Sequence, residues 1–114
     1  MQHLFVYGTL APGKSNAHIL EGVTGTWRPG SIRGSLHPEG WGATLGYPAV
    51  VLDDAGEEIP GLLFSSAELE KHWDRLDEFE GEAYERVLAR VVLEDGGTID
   101  AYVYALRNKP RLEN

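Results

Sequence analysis

The chain has 114 residues and a formal net charge of −8, and this length predicts one domain over residues 1–114. The negative charge repels the phosphates of nucleic acids and of anionic lipids, so neither is an expected partner. The absence of cysteine excludes disulfides, thiolate metal sites and cysteine nucleophiles. No apolar run approaches the ~20 residues of a membrane span, and we expect a soluble, cytoplasmic protein.

The first predicted element is a short buried strand over residues 4–7, Leu-Phe-Val-Tyr, followed by a glycine-rich loop. Residues 8–15, from Gly8 to Ser15, match G-x-x-x-x-G-K-[ST], the pattern of a phosphate-binding loop. Such a loop needs a substantial helix directly after it, and only about five residues separate Ser15 from Glu21-Gly22. Pro12 also removes one backbone donor. Nucleotide binding is therefore an alternative interpretation, and a simple β-turn is another.

The middle of the chain predicts strands joined by turns. Candidate strands cover residues 31–36, 47–52 and 59–64, and residues 53–56 form a turn between the last two. Pro60 and Gly61 indicate that the third of these strands lies at a sheet edge or contains a bulge.

A single well-patterned helix is predicted after these strands. Ser65 and Glu68 have the spacing of a capping box, and Gly81 is the expected stop. One buried face is formed by the i, i+4, i+7 set Leu69, Trp73 and Leu76.

Glu80 lies on the buried face if the helix persists to its end. Steps of four, three and four residues bring it within roughly 20° of Leu69 around the helix axis. Burial and the negative end of the helix dipole both raise the pKa of a carboxyl group at this position. A raised pKa suits a general acid/base near neutral pH. The alternative is a helix that ends before Glu80, which leaves the side chain in water.

The last predicted elements are the two strands of a β-hairpin. Residues 84–93 and 98–106 alternate in polarity and flank the turn Asp95-Gly96-Gly97. Tyr102 and Tyr104 share one strand face, where they either line a pocket or pack in the core. Strands outnumber helices, which predicts an α+β fold: a small, mixed, barrel-like sheet with one main helix and short flanking helices. The four histidines show no metal-ligand spacing.

Two segments carry a resemblance to a known family. Residues 5–10 are Phe-Val-Tyr-Gly-Thr-Leu, and residues 76–81 are Leu-Asp-Glu-Phe-Glu-Gly. They are similar to the Tyr-Gly-Ser/Thr-Leu and Leu-Asp-x-x-Glu-Gly segments of the γ-glutamyl cyclotransferase-like family, which includes the γ-glutamylamine cyclotransferases and the plant avirulence-induced proteins. Residues 46–50, 59–64 and 84–87 also resemble the family's strands, so the similarity spans most of the chain.

The resemblance implies roles for five residues. It implies that Glu80 is the catalytic acid/base and that Tyr7, Gly8, Thr9 and Leu10 hold the substrate, largely through backbone groups. It also implies a small mixed β-barrel, no metal and no cofactor. The implied substrate is a small γ-glutamyl amine or amide, whose own α-amine closes the ring of 5-oxoproline and releases a free amine.

Two further alternatives remain. Glu82 becomes the reactive carboxylate if the helix boundary is shifted. A non-catalytic module that binds a small molecule or a partner on the same fold is also possible, because a fold does not fix a function.

Overall fold

Strands dominate the computed structural model, which describes residues 2–7, 20, 22–37, 49–81 and 83–106. The strands are β1 (Gln2–Val6), β2 (Thr26–His37), β3 (Ala49–Leu52), β4 (Glu57–Ser66), β5 (Tyr84–Leu93) and β6 (Thr98–Leu106). A 3-10 helix (Leu69–Lys71) and an α-helix, α1 (Trp73–Glu80), lie between β4 and β5.

The strands form one mixed sheet in the order β3-β2-β4-β1-β6-β5. A further pairing of β2 with β5, where Gly30 is opposite Leu93, closes five of the strands into a barrel, and β3 lies outside the ring on β2. β1 and β6 run parallel, with Leu4 opposite Tyr102, whereas the other pairs are antiparallel. The predicted barrel-like mixed sheet is confirmed.

The strand faces divide the core in two. One buried cluster combines strand residues such as Leu4 and Phe64 with the helical residues Leu69, Trp73 and Leu76. The other contains strand residues and no residue of α1. Because side chains alternate along a strand, Leu4 and its neighbour Phe5 belong to different clusters. The predicted buried face of the helix is confirmed.

The predicted start of the helix is wrong. Ser65 is still in β4, where it pairs with His3 of β1 and Thr26 of β2. It therefore belongs to the sheet and does not cap a helix, whereas its capping-box spacing predicts a cap. The Oγ of Ser66 accepts a hydrogen bond from the N–H of Glu68 (2.9 Å). The chain then passes through the 3-10 helix before α1 begins at Trp73.

β4 is not an edge strand, because it lies between β2 and β1. Pro60 is opposite Ser31 of β2, but the pairing of β4 with β1 ends at Leu62. The missing N–H of Pro60 therefore removes no bond to β1, which explains how a proline fits inside this strand.

The two predicted turns are confirmed, and an aspartate side chain stabilises each. The Oδ1 of Asp53 accepts the N–H of Ala55 (3.0 Å), and the Oδ1 of Asp95 accepts the N–H of Gly97 (2.9 Å). Such Asx contacts mimic a backbone turn.

In the part of the chain that the structure describes, no helix has the length and apolar character needed to cross a membrane.

Candidate functional site

Four element ends meet at one end of the barrel. The parallel pairing of β1 with β6 brings the carboxyl ends of both strands to the same edge. β5 starts there too, since Tyr84 is opposite Leu106 of β6. Only three residues separate the end of α1 at Glu80 from Tyr84. The topology therefore collects Tyr7, Glu80, Tyr84 and Tyr104 in one region.

Glu80 is the last residue of α1 and is only partly exposed. Burial raises the pKa of its carboxyl group from the ordinary 4.5 to about 7. The helix stops directly afterwards at Gly81, whose φ of 85° is left-handed and whose N–H donates to the carbonyl of Asp77 (3.0 Å). The alternative of a helix that ends before Glu80 is wrong.

Tyr7 follows the last residue of β1 and is tied to the far end of the chain. Its hydroxyl donates to the backbone carbonyl of Tyr104 at 2.6 Å. Burial raises the pKa of Tyr7 well above its usual range, and the charges of Tyr84 and Glu80 raise it further, against a backbone hydrogen bond from Val50 that lowers it. The effect of Glu80 on Tyr7 means that the two side chains lie within electrostatic reach of each other.

Tyr104 is buried in β6 and contacts α1 through its side chain. Its hydroxyl donates to Oδ1 of Asp77 at 2.6 Å. Burial raises its pKa most, and the hydrogen bond and charge of Asp77 and the charge of Glu80 add to this, against Arg86, which lowers it. Both tyrosines therefore keep their protons at neutral pH, while Glu80 is poised to exchange its own.

Asp77 and Arg86 form an ion pair beside these tyrosines. The Nε of Arg86 is 3.1 Å from Oδ1 of Asp77, and its Nη2 is 3.3 Å from Oδ2. The guanidinium carbon lies 4.4 Å from the ring centre of Trp73 and 5.1 Å from that of Tyr102, in cation–π geometry. The pair joins α1 to β5.

A cavity of about 430 Å³ opens beside the end of α1. It is lined by Asp77, Gly81, Tyr84, Glu85, Arg86 and Tyr104. Gly81 follows Glu80 directly in the chain, but neither Glu80 nor Tyr7 lines this cavity.

Of the five sequence-predicted site residues, Tyr7 follows β1 and Glu80 ends α1, and the two lie within electrostatic reach of each other. The other three, Gly8, Thr9 and Leu10, lie outside the described residues, as does the whole phosphate-loop match at residues 8–15. Glu82 is outside them too. Within the described ranges, no three His, Asp or Glu side chains are grouped as metal ligands.

Sequence reasoning missed Asp77 and Arg86, although both fall in or near the segments it singled out. Asp77 precedes Glu80 by three residues and so shares its helix face. Arg86 follows Tyr84 by two residues and so shares its strand face. Of the two tyrosines of β6 that sequence reasoning left open, Tyr104 lines the cavity. The ring of Tyr102 instead packs edge-on against Trp73, with 5.2 Å between centroids.

Comparisons with known proteins give the family that this chain resembles along its length. A family model described as gamma-glutamyl cyclotransferase, AIG2-like, matches residues 4–114. Gamma-L-glutamyl-butirosin B gamma-glutamyl cyclotransferase of Niallia circulans is 33% identical over 119 residues, which cover 99% of this chain and 72% of that protein.

Solved structures share the fold. YkqA from Bacillus subtilis is 30% identical, with a TM-score of 0.70, over 93% of this chain but only 36% of that protein. An AIG2-like protein from Mus musculus is 24% identical, with a TM-score of 0.75, over 96% of this chain and 80% of that one. At that identity the mouse protein supports the fold alone.

Proposed function

The chain belongs to the gamma-glutamyl cyclotransferase, AIG2-like family, and from this premise we propose that it is an enzyme that releases 5-oxoproline and a free amine from a γ-glutamyl amine or amide. One observation carries the proposal beyond membership. Glu80, at the end of α1, is partly buried within electrostatic reach of Tyr7 and has a pKa of about 7. A carboxyl group with that pKa is half-ionised at neutral pH, so it can act first as a base and then as an acid.

The proposed reaction needs no nucleophile from the protein. The α-amine of the γ-glutamyl group attacks its own γ-carbonyl carbon, which forms the C–N bond of a five-membered ring. The bond from that carbon to the leaving nitrogen then breaks. Because the two reacting groups belong to one molecule, ring closure needs orientation rather than encounter.

Glu80 moves the proton in this scheme. Its carboxylate takes a proton from the attacking ammonium group, and the resulting carboxylic acid gives the proton to the departing amine. The oxygen of the γ-carbonyl becomes negative between these steps and needs hydrogen-bond donors. We assign that task, and the binding of the substrate carboxylate, to the backbone N–H groups of Gly8, Thr9 and Leu10, on the strength of the family motif.

The leaving group is the open part of the proposal. The name of the Niallia circulans relative gives γ-L-glutamyl-butirosin B as its substrate. We carry over only the γ-glutamyl half, because that half holds both the attacking amine and the carbonyl.

The test is 5-oxoproline release from a panel of γ-glutamyl amines by wild type and Glu80→Gln. Glutamine keeps the size of glutamate but cannot shuttle a proton at neutral pH. We expect turnover of an accepted substrate to fall by ~10²–10⁴-fold, with a much smaller change in substrate affinity.

Glu82→Gln is the matched control, since it removes a carboxylate only two residues away, and it should keep turnover close to that of wild type. Near wild-type turnover in Glu80→Gln removes Glu80 from the mechanism. Loss of turnover in Glu82→Gln alone transfers the role to Glu82. A wild type that binds γ-glutamyl amines but releases no 5-oxoproline is a binding module and not an enzyme.

A further inference from the structure

The carboxylate of Asp77 is held by two strands at once. Arg86 of β5 donates to both of its oxygens, at 3.1 and 3.3 Å. The hydroxyl of Tyr104 in β6 donates to Oδ1 at 2.6 Å. Three donors on one carboxylate restrict its position far more than a single contact does, because two of them belong to a planar guanidinium fork.

The group that holds Asp77 is itself fixed. The guanidinium of Arg86 lies against the rings of Trp73 and Tyr102, at 4.4 and 5.1 Å from their centres. The Nε1 of Trp73 donates in turn to Oε1 of Gln2 on β1 (2.6 Å). Arg86 therefore has little freedom to swing away from the helix.

Asp77 begins the helical turn that carries Glu80. Its backbone carbonyl accepts the N–H of Gly81 at 3.0 Å, which closes the last turn of α1 around residues 77–81. Residues three apart on a helix lie on the same side, so clamping the Asp77 side chain against β5 and β6 also sets the direction of Glu80.

Tyr104 links the contacts of Asp77 to Tyr7, the other proposed site residue. While its hydroxyl binds Asp77, its backbone carbonyl accepts the hydroxyl of Tyr7 at 2.6 Å. A continuous set of contacts thus runs from Arg86 through Asp77 and Tyr104 to Tyr7.

We propose that Asp77 is a positioning residue, which through Arg86 and Tyr104 keeps the carboxyl group of Glu80 buried at the end of α1. Its effect on turnover rests on the proposed function, but its effect on Glu80 does not. The Asp77 side chain is 43% exposed and that of Arg86 is 26% exposed, so the contacts of this pair stand partly in water. A carboxylate near the negative end of a helix is unfavourable, and the three donors offset that cost.

Among the described residues, the titratable and charged groups around the end of α1 are Tyr7 directly after β1, Tyr84, Glu85 and Arg86 from β5, Tyr104 from β6 and Asp77 from the helix itself. The pKa values of Tyr7 and Tyr104 are raised well above neutrality. Glu80, raised to about 7 by burial, is thus a direct reporter of whether its surroundings stay in place.

The experiment measures the pKa of Glu80 by ¹³C NMR of its carboxyl carbon, assigned by the signal that Glu80→Gln lacks. In Asp77→Asn we expect the pKa to fall by about one unit or more toward 4.5, because a released last turn lets water reach Glu80. We expect kcat to fall roughly ten- to a hundredfold with little change in KM, and the acid limb of the kcat profile to move with the NMR value.

Tyr104→Phe distinguishes an effect of the position of Glu80 on its pKa from an effect of the charge of Asp77. It removes the hydroxyl donor without changing any charge and keeps the backbone carbonyl that binds Tyr7, so a fall in the pKa of Glu80 in this variant reports displacement alone. If Asp77→Asn does not fold, the pKa of Glu80 in Tyr104→Phe tests the proposal on its own. Arg86→Lys keeps the charge but not the fork and should shift the pKa in the same direction. Glu78→Gln, on the exposed side of α1, should leave both the pKa and kcat unchanged.

An unchanged pKa of Glu80 in Tyr104→Phe and in any folded Asp77→Asn protein overturns the proposal, whether or not kcat or the melting temperature falls. If both variants lower the pKa but wild type releases no 5-oxoproline from any γ-glutamyl amine, the proposed function fails while the positioning of Glu80 by Asp77 stands.

Discussion

Glu80 holds its proton more tightly in the folded chain than in the unfolded one. Its pKa is about 7 in the fold and 4.5 ordinarily. The folded state therefore binds the extra proton between these values, and stability declines as pH rises through this window. The contribution of Glu80 is fully present below pH ~4.5 and is lost above pH ~7.

Replacing Glu80 by glutamine should remove this pH dependence. We expect Glu80→Gln to unfold at a higher temperature than wild type at pH 8 and at nearly the same temperature at pH 4.5. The difference in the free energy of unfolding at pH 8 should be no more than ~3.5 kcal/mol, from roughly 1.4 kcal/mol per pKa unit over the rise from 4.5 to about 7. Thermal melts across pH 4–8 measure it. Glu78→Gln, which removes an exposed carboxylate from the same helix, is the control, and an equal stabilisation of both variants at pH 8 would contradict the argument.

The sequence predicts Glu80 but not the side chains that surround it, for a physical reason. The position of Glu80 follows from helical spacing alone, which is local. The contact of Tyr104 with Asp77 spans 27 residues and that of Tyr7 with Tyr104 spans 97. These depend on the parallel pairing of β1 with β6, and no local pattern encodes which strands become neighbours.

At the scale of elements, the strands were easier to predict than the start of the helix. The hairpin of β5 and β6 has alternating polarity and a turn of strong local preference, so its bounds are close to the predicted ones. Ser65 has both a capping-box partner and a strand register. Ser65 stays in the strand because it pairs there with residues of two neighbouring strands. Tertiary pairing overrides a weak local preference for a helix cap.

The end of α1 is set by the backbone of Gly81. Its φ of 85° and ψ of −179° fall in a region that is essentially restricted to glycine. A Cβ there would meet no atom within 4 Å, so any cost of Gly81→Ala comes from the backbone and not from a collision. We expect a loss of ~1–3 kcal/mol in the free energy of unfolding, measured in urea.

Gly22→Ala is the matched control for this helix stop. A Cβ at Gly22 also meets nothing within 4 Å, and its φ is not in the left-handed region. It should change the free energy of unfolding by less than about 0.5 kcal/mol. Equal effects of the two substitutions would mean that the conformation of Gly81 is not what ends the helix.

For the molecule as a whole, the barrel closes through a narrow contact. β2 meets β5 at Gly30 opposite Leu93 and at Ser31 opposite Val92. A Cβ on Gly30 would lie 2.8 Å from Cγ1 of Val91, which is fully buried, and 3.2 Å from the carbonyl oxygen of Val92. A β-branched side chain has few other rotamers to adopt, so the two strands would have to separate.

Gly30→Ala should therefore weaken the closure. We expect a loss of ~1–3 kcal/mol, as is typical of overpacking, together with faster hydrogen exchange of the amides in the β2–β5 pair than in the β5–β6 hairpin. Urea unfolding and exchange measured by NMR report the two effects. Uniformly faster exchange throughout the barrel would instead indicate that closure is not a separate weak point.

The parallel pairing of β1 with β6 also has a consequence for how the chain is made. β1 is synthesised first among the described strands and β6 last, so a nascent chain carries β1 with one edge unpaired. β4 can cover the other edge earlier, because its pairing with β1 needs nothing beyond Ser66. The contact between Tyr7 and Tyr104, however, cannot form until β6 has been translated. Contacts of such long sequence separation form slowly. The hydrogen bond that joins the carboxyl ends of β1 and β6 is therefore made only after translation of β6, and truncated products that lack this strand leave an open edge exposed to aggregation.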